Sequence, residues 1–371
     1  MNTGMRRILR HFTLKWRNWR DSAPLWPAGH LPEEGDYAVI SAFANRRRCR
    51  IGTAIDEGRS PPLRGRRPAG QRGAFGGFIK TGATLVLATF TLLAPFTAPA
   101  LAEETTRLAD TSRLVSIGGS LTEIIYALGE EKHLVARDST SLFPPEAKEL
   151  PDVGYMRALS PEGVLSVNPS GILLLEGSGP PETLDVLKKA SVPLVIVPEH
   201  FTGDGVLDKI RSVGKALGVE EKAEKLAQSV NADLAAAEKA TSSVKERKRV
   251  LFILSMQGGR IMASGRNTAA NGIIALAGGV NAIDGYEGYK QLTDEAIGAA
   301  APDVILMMDR AGNHAATDEE IFDNPAFAGT PAAVNKKLIR MDALYLLGFG
   351  PRTARAAHDL SVALYGDTVR H

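Results

Sequence analysis

The chain has 371 residues and one cysteine, Cys49. Without a second cysteine it can form no internal disulfide, and beyond position 49 it has neither a zinc–thiolate centre nor a cysteine nucleophile. Catalytic signatures are also missing. There is no Gly-x-Ser-x-Gly elbow, no phosphate-cradling Gly-x-x-x-x-Gly-Lys and no His-Glu-x-x-His. Gly118-Gly119 closes an apolar run before a helical pattern but lacks the third glycine of a dinucleotide fingerprint. The histidines beyond residue 102 are His133, His200, His314, His358 and His371, and no two stand at metal-ligand spacing. These absences favour a binding protein over an enzyme.

A long hydrophobic run is lacking as well. The most apolar stretch follows Lys80 and reaches Pro95, short of the roughly 20 residues a membrane span needs. It ends in Ala100-Leu101-Ala102, the small-x-small pattern of a secretory cleavage site. Residues 80–102 therefore read as a signal peptide cleaved after Ala102. Residues 1–79, Arg-rich and without apolar periodicity, read as an over-extended start. No cysteine follows the cleavage site, so the product is expected to be a free periplasmic protein without a lipid anchor. The charge divides at the same place. Residues 1–80 hold 16 basic and 6 acidic residues, and the rest of the chain holds 28 basic and 36 acidic. An acidic globular part argues against a nucleic-acid partner.

What the chain does contain is an internal repeat. Leu159-Ser160-Pro161-Glu162-Gly163-Val164, Pro169 and Ile172-Leu173 return 133 residues later as Leu292-Thr293-Asp294-Glu295-Ala296-Ile297, Pro302 and Ile305-Leu306. Each copy follows a Gly-Tyr pair, Gly154-Tyr155 and Gly288-Tyr289. Two copies at so long a period suit two similar lobes with a ligand between them rather than a solenoid.

The pattern of elements agrees. Short apolar runs at 114–117, 134–136, 172–175 and 194–197 alternate with helical segments. The alternation stops for two helical stretches, 205–217 and 220–240, and resumes with runs at 250–254, 304–308 and 338–341 and helices at 268–277 and 353–365. Alternating strands and helices predict α/β lobes with parallel sheets. Ser120 reads as a helix N-cap with Glu123 completing a capping box, and Ser160 as an N-cap before Pro161. The expected division is 103–204 for the first lobe, 205–245 for the helical connection and 246–371 for the second lobe.

Tyr155 is the leading site candidate. It lies in Asp152-Val153-Gly154-Tyr155-Met156-Arg157, a loop before a helix, where ligands meet such sheets. A phenolate is a hard donor suited to ferric iron and a known haem axial ligand, and a positive charge such as that of Arg157 favours it over the phenol.

Three blocks carry a resemblance: Gly118-Gly119-Ser120-Leu121-Thr122-Glu123-Ile124-Ile125-Tyr126-Ala127-Leu128-Gly129, Val153-Gly154-Tyr155-Met156-Arg157-Ala158-Leu159-Ser160, and Leu347-Gly348-Phe349-Gly350-Pro351-Arg352. Over about residues 112–366 the chain resembles periplasmic haem-binding proteins of bacterial haem ABC importers, within the wider group of cobalamin and siderophore binders. The Val-Gly-Tyr-x-Arg block is the specific part. The resemblance implies two Rossmann-like lobes joined by a long connecting helix, limited hinge motion, and haem b held in the cleft as transported ligand. It implies Tyr155 as axial ligand with Arg157 beside it, and Glu162 and Glu295 as one docking carboxylate per lobe for a permease dimer.

Where some members carry a histidine in the second lobe, this chain reads Ser255-Met256-Gln257-Gly258-Gly259, so Met256 is the residue expected near the iron or in the cleft wall. Arg310, after the 304–308 strand, suits a propionate, with Arg260 and Arg266 as weaker candidates. Tyr289 answers Tyr155 in the repeat and is expected to line the cleft. A monomer is expected, with an outer-membrane haem receptor system upstream. The rivals are a cobalamin or ferric-siderophore binder of the same fold and, in another class, a permease-independent haem chaperone or enzyme.

Overall fold

The computed structural model of the chain describes residues 107–309 and 316–369. Residues 1–79, the expected signal peptide at 80–102, Cys49, Arg310 and His314 lie outside these residues. The first half runs β1 (Leu114–Ile117), α1 (Gly119–Ala127), β2 (Leu134–Arg137), α2 (Pro161–Leu165), β3 (Gly171–Leu175), α3 (Pro181–Lys189) and β4 (Leu194–Val197). Its four strands form a parallel sheet in the order β2-β1-β3-β4. The central strands β1 and β3 are buried along their whole length. Their unbroken Leu-Val-Ser-Ile and Gly-Ile-Leu-Leu-Leu runs suit strands covered on both faces.

Two helices follow, α4 (Gly203–Leu217) and α5 (Glu220–Thr241), turning at Gly218 in a left-handed C-terminal cap. The second half runs β5 (Arg249–Gln257), β6 (Arg260–Ser264), α6 (Ala269–Leu276), β7 (Val280–Asn281), β8 (Tyr289–Leu292), α7 (Asp294–Ala300), β9 (Val304–Asp309), α8 (Asp318–Phe322), α9 (Pro331–Val334), β10 (Leu338–Asp342), α10 (Ala343–Leu347) and α11 (Thr353–Tyr365). Its sheet has the order β10-β9-β5-β6-β8, with β7 beside β5. Strands β10, β9 and β5 are parallel, as expected from the sequence, but β6 pairs antiparallel with β5 and β8 antiparallel with β6, so this sheet is mixed.

The repeat is structural. Ser160 caps α2 through Gly163 N–H, and Thr293 caps α7 through Ala296 N–H. Pro169 and Pro302 then precede β3 and β9. The expected capping box at Ser120 does not form. The helix starts two residues earlier, with Gly118 as an N-cap that has no side-chain bond, so Ser120 already lies inside α1. Glu123 is buried and turned to the other half of the molecule. Its carboxylate accepts from the Arg352 backbone N–H at 3.1 Å and from Nη2 at 2.8 Å. The Arg352 guanidinium stacks over Phe143 at 3.5 Å, where a planar cation is attracted by the ring face.

A second buried link crosses the same junction. Lys209 on α4 is 1% exposed. Its ammonium donates to Glu199 Oε1 at 2.7 Å, to the Phe349 carbonyl at 2.9 Å and to Ser120 Oγ at 3.3 Å. Apolar packing is continuous through the junction: one cluster holds Ile117 and Leu173 of the first sheet, Ile210 of α4, Ala227 of α5, Phe252 and Leu306 of the second sheet and Leu360 of α11. A smaller cluster, with Leu251, Ile253, Ile305 and Phe327, covers the opposite face of the second sheet. Lobes that share one core slide less freely than lobes joined by linkers.

Candidate functional site

In open α/β sheets ligands sit beyond the carboxyl ends of the strands. In the first half that edge is built by the chain leaving β2. Asp138 is fully buried there, and its carboxylate accepts from Gly118 N–H at 3.0 Å, Thr140 N–H at 3.0 Å, Thr140 Oγ1 at 2.6 Å and Ser141 Oγ at 2.7 Å. Burial pushes this carboxyl up from its ordinary value, and the bonds from Thr140, Ser141 and Gly118 oppose the shift. Thr122 Oγ1 continues the network to Ser116 and Ser141. The polar cluster gives the edge a rigid base.

On this base lies the segment 151–159, which carries Tyr155. The chain returns alongside β2, with Arg137 N–H donating to Pro151 O and Val153 N–H to Arg137 O, both at 2.9 Å. Arg137 is 6% exposed, and its Nη1 meets Asp152 Oδ2 at 2.7 Å. The other Asp152 oxygen accepts from Gly154 N–H at 2.8 Å. Gly154 has φ 104°, a backbone conformation that a side chain would strain. Ser139 N–H then donates to Gly154 O, Gly179 N–H to Met156 O, and Leu159 N–H to Gly179 O. Met156 is buried with its sulfur 3.8 Å from Thr140 Oγ1. Both neighbours of Tyr155 are thus held, and Tyr155 itself is half-buried against the shared core. Arg157 is exposed.

In the second half, Tyr289 begins β8 and packs edge-to-face on Phe252, with ring centroids 6.3 Å apart. Burial pushes its phenol up, and the charge of Arg157 pulls against that shift, as do the Thr268 hydroxyl and the Ala270 backbone. Arg157 of the first half therefore acts by its charge on Tyr289 of the second, across the junction. The two tyrosines are not equivalent in structure, since Tyr155 is on a loop and Tyr289 on a strand.

The other candidates are placed apart from this pair. Met256 packs with the smaller cluster on the far face of the second sheet, and its sulfur faces Asn324 Nδ2 at 3.7 Å. A register shift between Ile253 and Ser255 turns it to that side. Arg266 is exposed and lies 3.9 Å from Glu287. Arg260 is exposed at the start of β6. Arg310 follows β9 immediately, outside the described residues. Glu162 and Glu295 are exposed at the second positions of α2 and α7. For Glu295, its own backbone N–H and the Thr293 hydroxyl hold the carboxyl below the ordinary range.

Sequence reasoning passed over Arg137, Asp138 and Asp152. The available signal was a run of polar residues, Arg137-Asp138-Ser139-Thr140-Ser141, directly after a buried strand. Among the described residues no cluster of His, Cys, Asp and Glu could hold a bare metal ion. The donor set at this edge is phenolic and cationic, which fits an iron atom that arrives with its own equatorial ligands.

Comparison with known proteins agrees with this geometry. A family model described as periplasmic binding protein matches residues 114–345. The periplasmic heme-binding protein RhuT from Roseiflexus sp. RS-1, in apo form, is 40% identical with a TM-score of 0.66, covering 70% of this chain and 100% of its own. The periplasmic heme-binding protein BhuT in complex with two hemes is 37% identical with a TM-score of 0.66, covering 69% and 98%. Among curated proteins, the uncharacterized ABC transporter substrate-binding lipoprotein YvrC of Bacillus subtilis (strain 168) is 27% identical over 72% of this chain and 84% of its own. The vitamin B12-binding protein of Pectobacterium atrosepticum is 26% identical over 53% and 71%.

Proposed function

The chain belongs to the periplasmic binding protein family, and from that premise we propose that it captures haem outside the cytoplasm and delivers it to the permease of an ABC importer. The observation that carries the reading is the pinned 151–159 segment, which presents Tyr155 at the ligand edge with Arg157 two residues on. A phenolate oxygen is a suitable axial donor for ferric haem. In this reading Tyr155 binds the iron, Arg157 places positive charge beside the phenolate, and Tyr289 lines the cleft from the other side. Arg310 pairs with a propionate, as a guanidinium does well through two parallel hydrogen bonds. The protein performs no chemistry on its ligand. It is exported by the 80–102 segment with cleavage after Ala102, its domains divide as the sequence suggests, and Glu162 and Glu295 meet the two permease subunits.

The test is a haem titration of the purified protein followed by visible absorbance, beside Tyr155→Ala. Wild type is expected to give a ferric spectrum with a phenolate ligand, and the variant to lose it with a weakened affinity. An identical spectrum in the variant would remove Tyr155 from the iron. Cobalamin is the second candidate ligand, favoured by the similarity to vitamin B12-binding proteins. A parallel cobalamin titration decides between them, because tight cobalamin binding without haem binding would overturn the haem reading.

A further inference from the structure

We propose that Arg137 and Asp152 form a positioning unit for Tyr155, fixing the direction from which its phenol oxygen meets the ligand iron. The proposal rests on the reading of Tyr155 as haem ligand and adds residues that the motif around Tyr155 does not name. The pair couples a buried strand end to the ligand-bearing segment through two kinds of contact. One is the backbone exchange of Arg137 with Pro151 and Val153. The other is the ion pair at 2.7 Å, between a side chain 8% exposed and one 36% exposed.

Asp152 then passes the constraint on, because its second oxygen holds Gly154 N–H, one residue before Tyr155. Arg137 Nη1 also donates to Asp138 O at 3.2 Å, which ties the unit to the buried carboxylate network beneath. A loop fixed at so many points holds its side chain in a narrow range of directions, and ligand direction is what partners behind a metal ligand commonly control.

Charge alone predicts the opposite outcome from geometry. Removing the Asp152 carboxylate deletes a negative charge three residues from the phenolate and leaves Arg137 positive, which would stabilise the phenolate and tighten haem. Removing it also frees Gly154, which on the positioning account loosens Tyr155 and weakens haem. Asp152→Asn is the milder change, since an amide oxygen can still accept from Gly154 N–H while the ion pair is lost.

The experiment compares wild type, Asp152→Ala, Asp152→Asn and Tyr155→Phe, each checked for folding by thermal melt. Haem dissociation into apomyoglobin and the ferric visible spectrum are the readouts. We expect Asp152→Ala to release haem about 10- to 100-fold faster, with a spectrum shifted part of the way towards that of Tyr155→Phe, and Asp152→Asn to fall between it and wild type. A folded Asp152→Ala with wild-type spectrum and release rate, or with slower release, overturns the positioning role while a changed Tyr155→Phe keeps the ligand. If Tyr155→Phe is also unchanged, the ligand reading fails and the positioning role fails with it. If Asp152→Ala does not fold, Asp152→Asn decides: faster haem release than wild type supports the proposal, and release at the wild-type rate or slower overturns it.

Discussion

Single residues carry the connection between the two halves, and Lys209 carries the most. An α-helix segment reading Val-Leu-Asp-Lys-Ile-Arg-Ser-Val places position 209 on the same face as Val206 and Val213, so its burial was legible in the spacing. What the spacing could not supply was the partner set. Glu199, the Phe349 carbonyl and Ser120 come from three separate parts of the chain. Burial lowers the basicity of the Lys209 amine, and burial also pushes the Glu199 carboxyl up, with Lys209 opposing the second shift. A pair of this kind is costly to break by halves, because the remaining charge stays buried without compensation. Lys209→Met is therefore expected to destabilise the protein by about 3–5 kcal/mol, and adding Glu199→Met to recover much of that loss. Urea denaturation of the three proteins measures this, and a single-variant loss within experimental error of zero would show that the pair is not buried as described. Tyr155 and Glu162 were readable as candidates because their neighbours form a specific motif and an internal repeat. Arg137 and Asp152 were not, because fifteen positions separate them in sequence and only the fold pairs them.

At the scale of elements, legibility followed hydrophobic pattern. The strand at 194–197 and the helix at 353–365 have the bounds that apolar runs and helical spacing suggest. β6 and β8 were missed. Met256-Gln257-Gly258-Gly259-Arg260-Ile261 is a two-residue hairpin, with φ of 55° at Gly258 and 75° at Gly259. The glycine pair announces such a turn, but the strand that returns from it, Arg260-Ile261-Met262-Ala263-Ser264, lacks the unbroken apolar run that marks the central strands. The turn after α1 shows how an element acquires a pH response. Glu130, buried just before the short 3-10 turn Glu131–His133, receives Lys222 Nζ of α5 at 2.6 Å and stands 3.1 Å from His133 Nε2. The Lys222 hydrogen bond holds its carboxyl below the ordinary value, with burial working against it. A carboxyl lowered in the folded state contributes stability above its unfolded pKa, and that contribution is lost as pH falls through the folded one. Glu130→Gln should therefore cost about 1 kcal/mol at neutral pH, since one partner is exposed, and the gap from wild type should close as pH drops through the carboxylate range. Melting curves at a series of pH values would show this; a gap that stays constant with pH would mean that Glu130 contributes nothing through its charge.

The whole molecule sets the geometry that a partner meets. Its core runs without a break from the first sheet through α4 and α5 to the second sheet and α11, and the Glu123–Arg352 pair and the Lys209 bonds to Ser120 and the Phe349 carbonyl cross the same junction. The blocks 118–129 and 347–352, which carried much of the sequence resemblance, turn out to supply the Glu123–Arg352 link and, in Ser120 and Phe349, two of the three partners of Lys209. Much of the resemblance is therefore to an architecture, and the proposed ligand rests on the shorter Tyr155 block. A shared core keeps the distance between the halves nearly constant, and so the distance between Glu162 and Glu295. Both glutamates are exposed, both sit at the second position of a helix capped by a hydroxyl residue, and each helix leads through a proline into a central strand. Two carboxylates in equivalent settings on a stiff frame match a partner made of two similar subunits, each offering a positive group. Neither carboxylate makes any of the hydrogen bonds that hold the Tyr155 segment, so reversing them should leave those bonds in place. Glu162→Arg with Glu295→Arg is expected to abolish haem uptake by cells that depend on this protein, with haem affinity and release rate of the purified protein unaltered; each single reversal should reduce uptake in part, because one carboxylate still engages. Uptake at the wild-type rate in the double variant would exclude this docking mode, and loss of haem binding in it would mean that the two glutamates serve the ligand site rather than the partner.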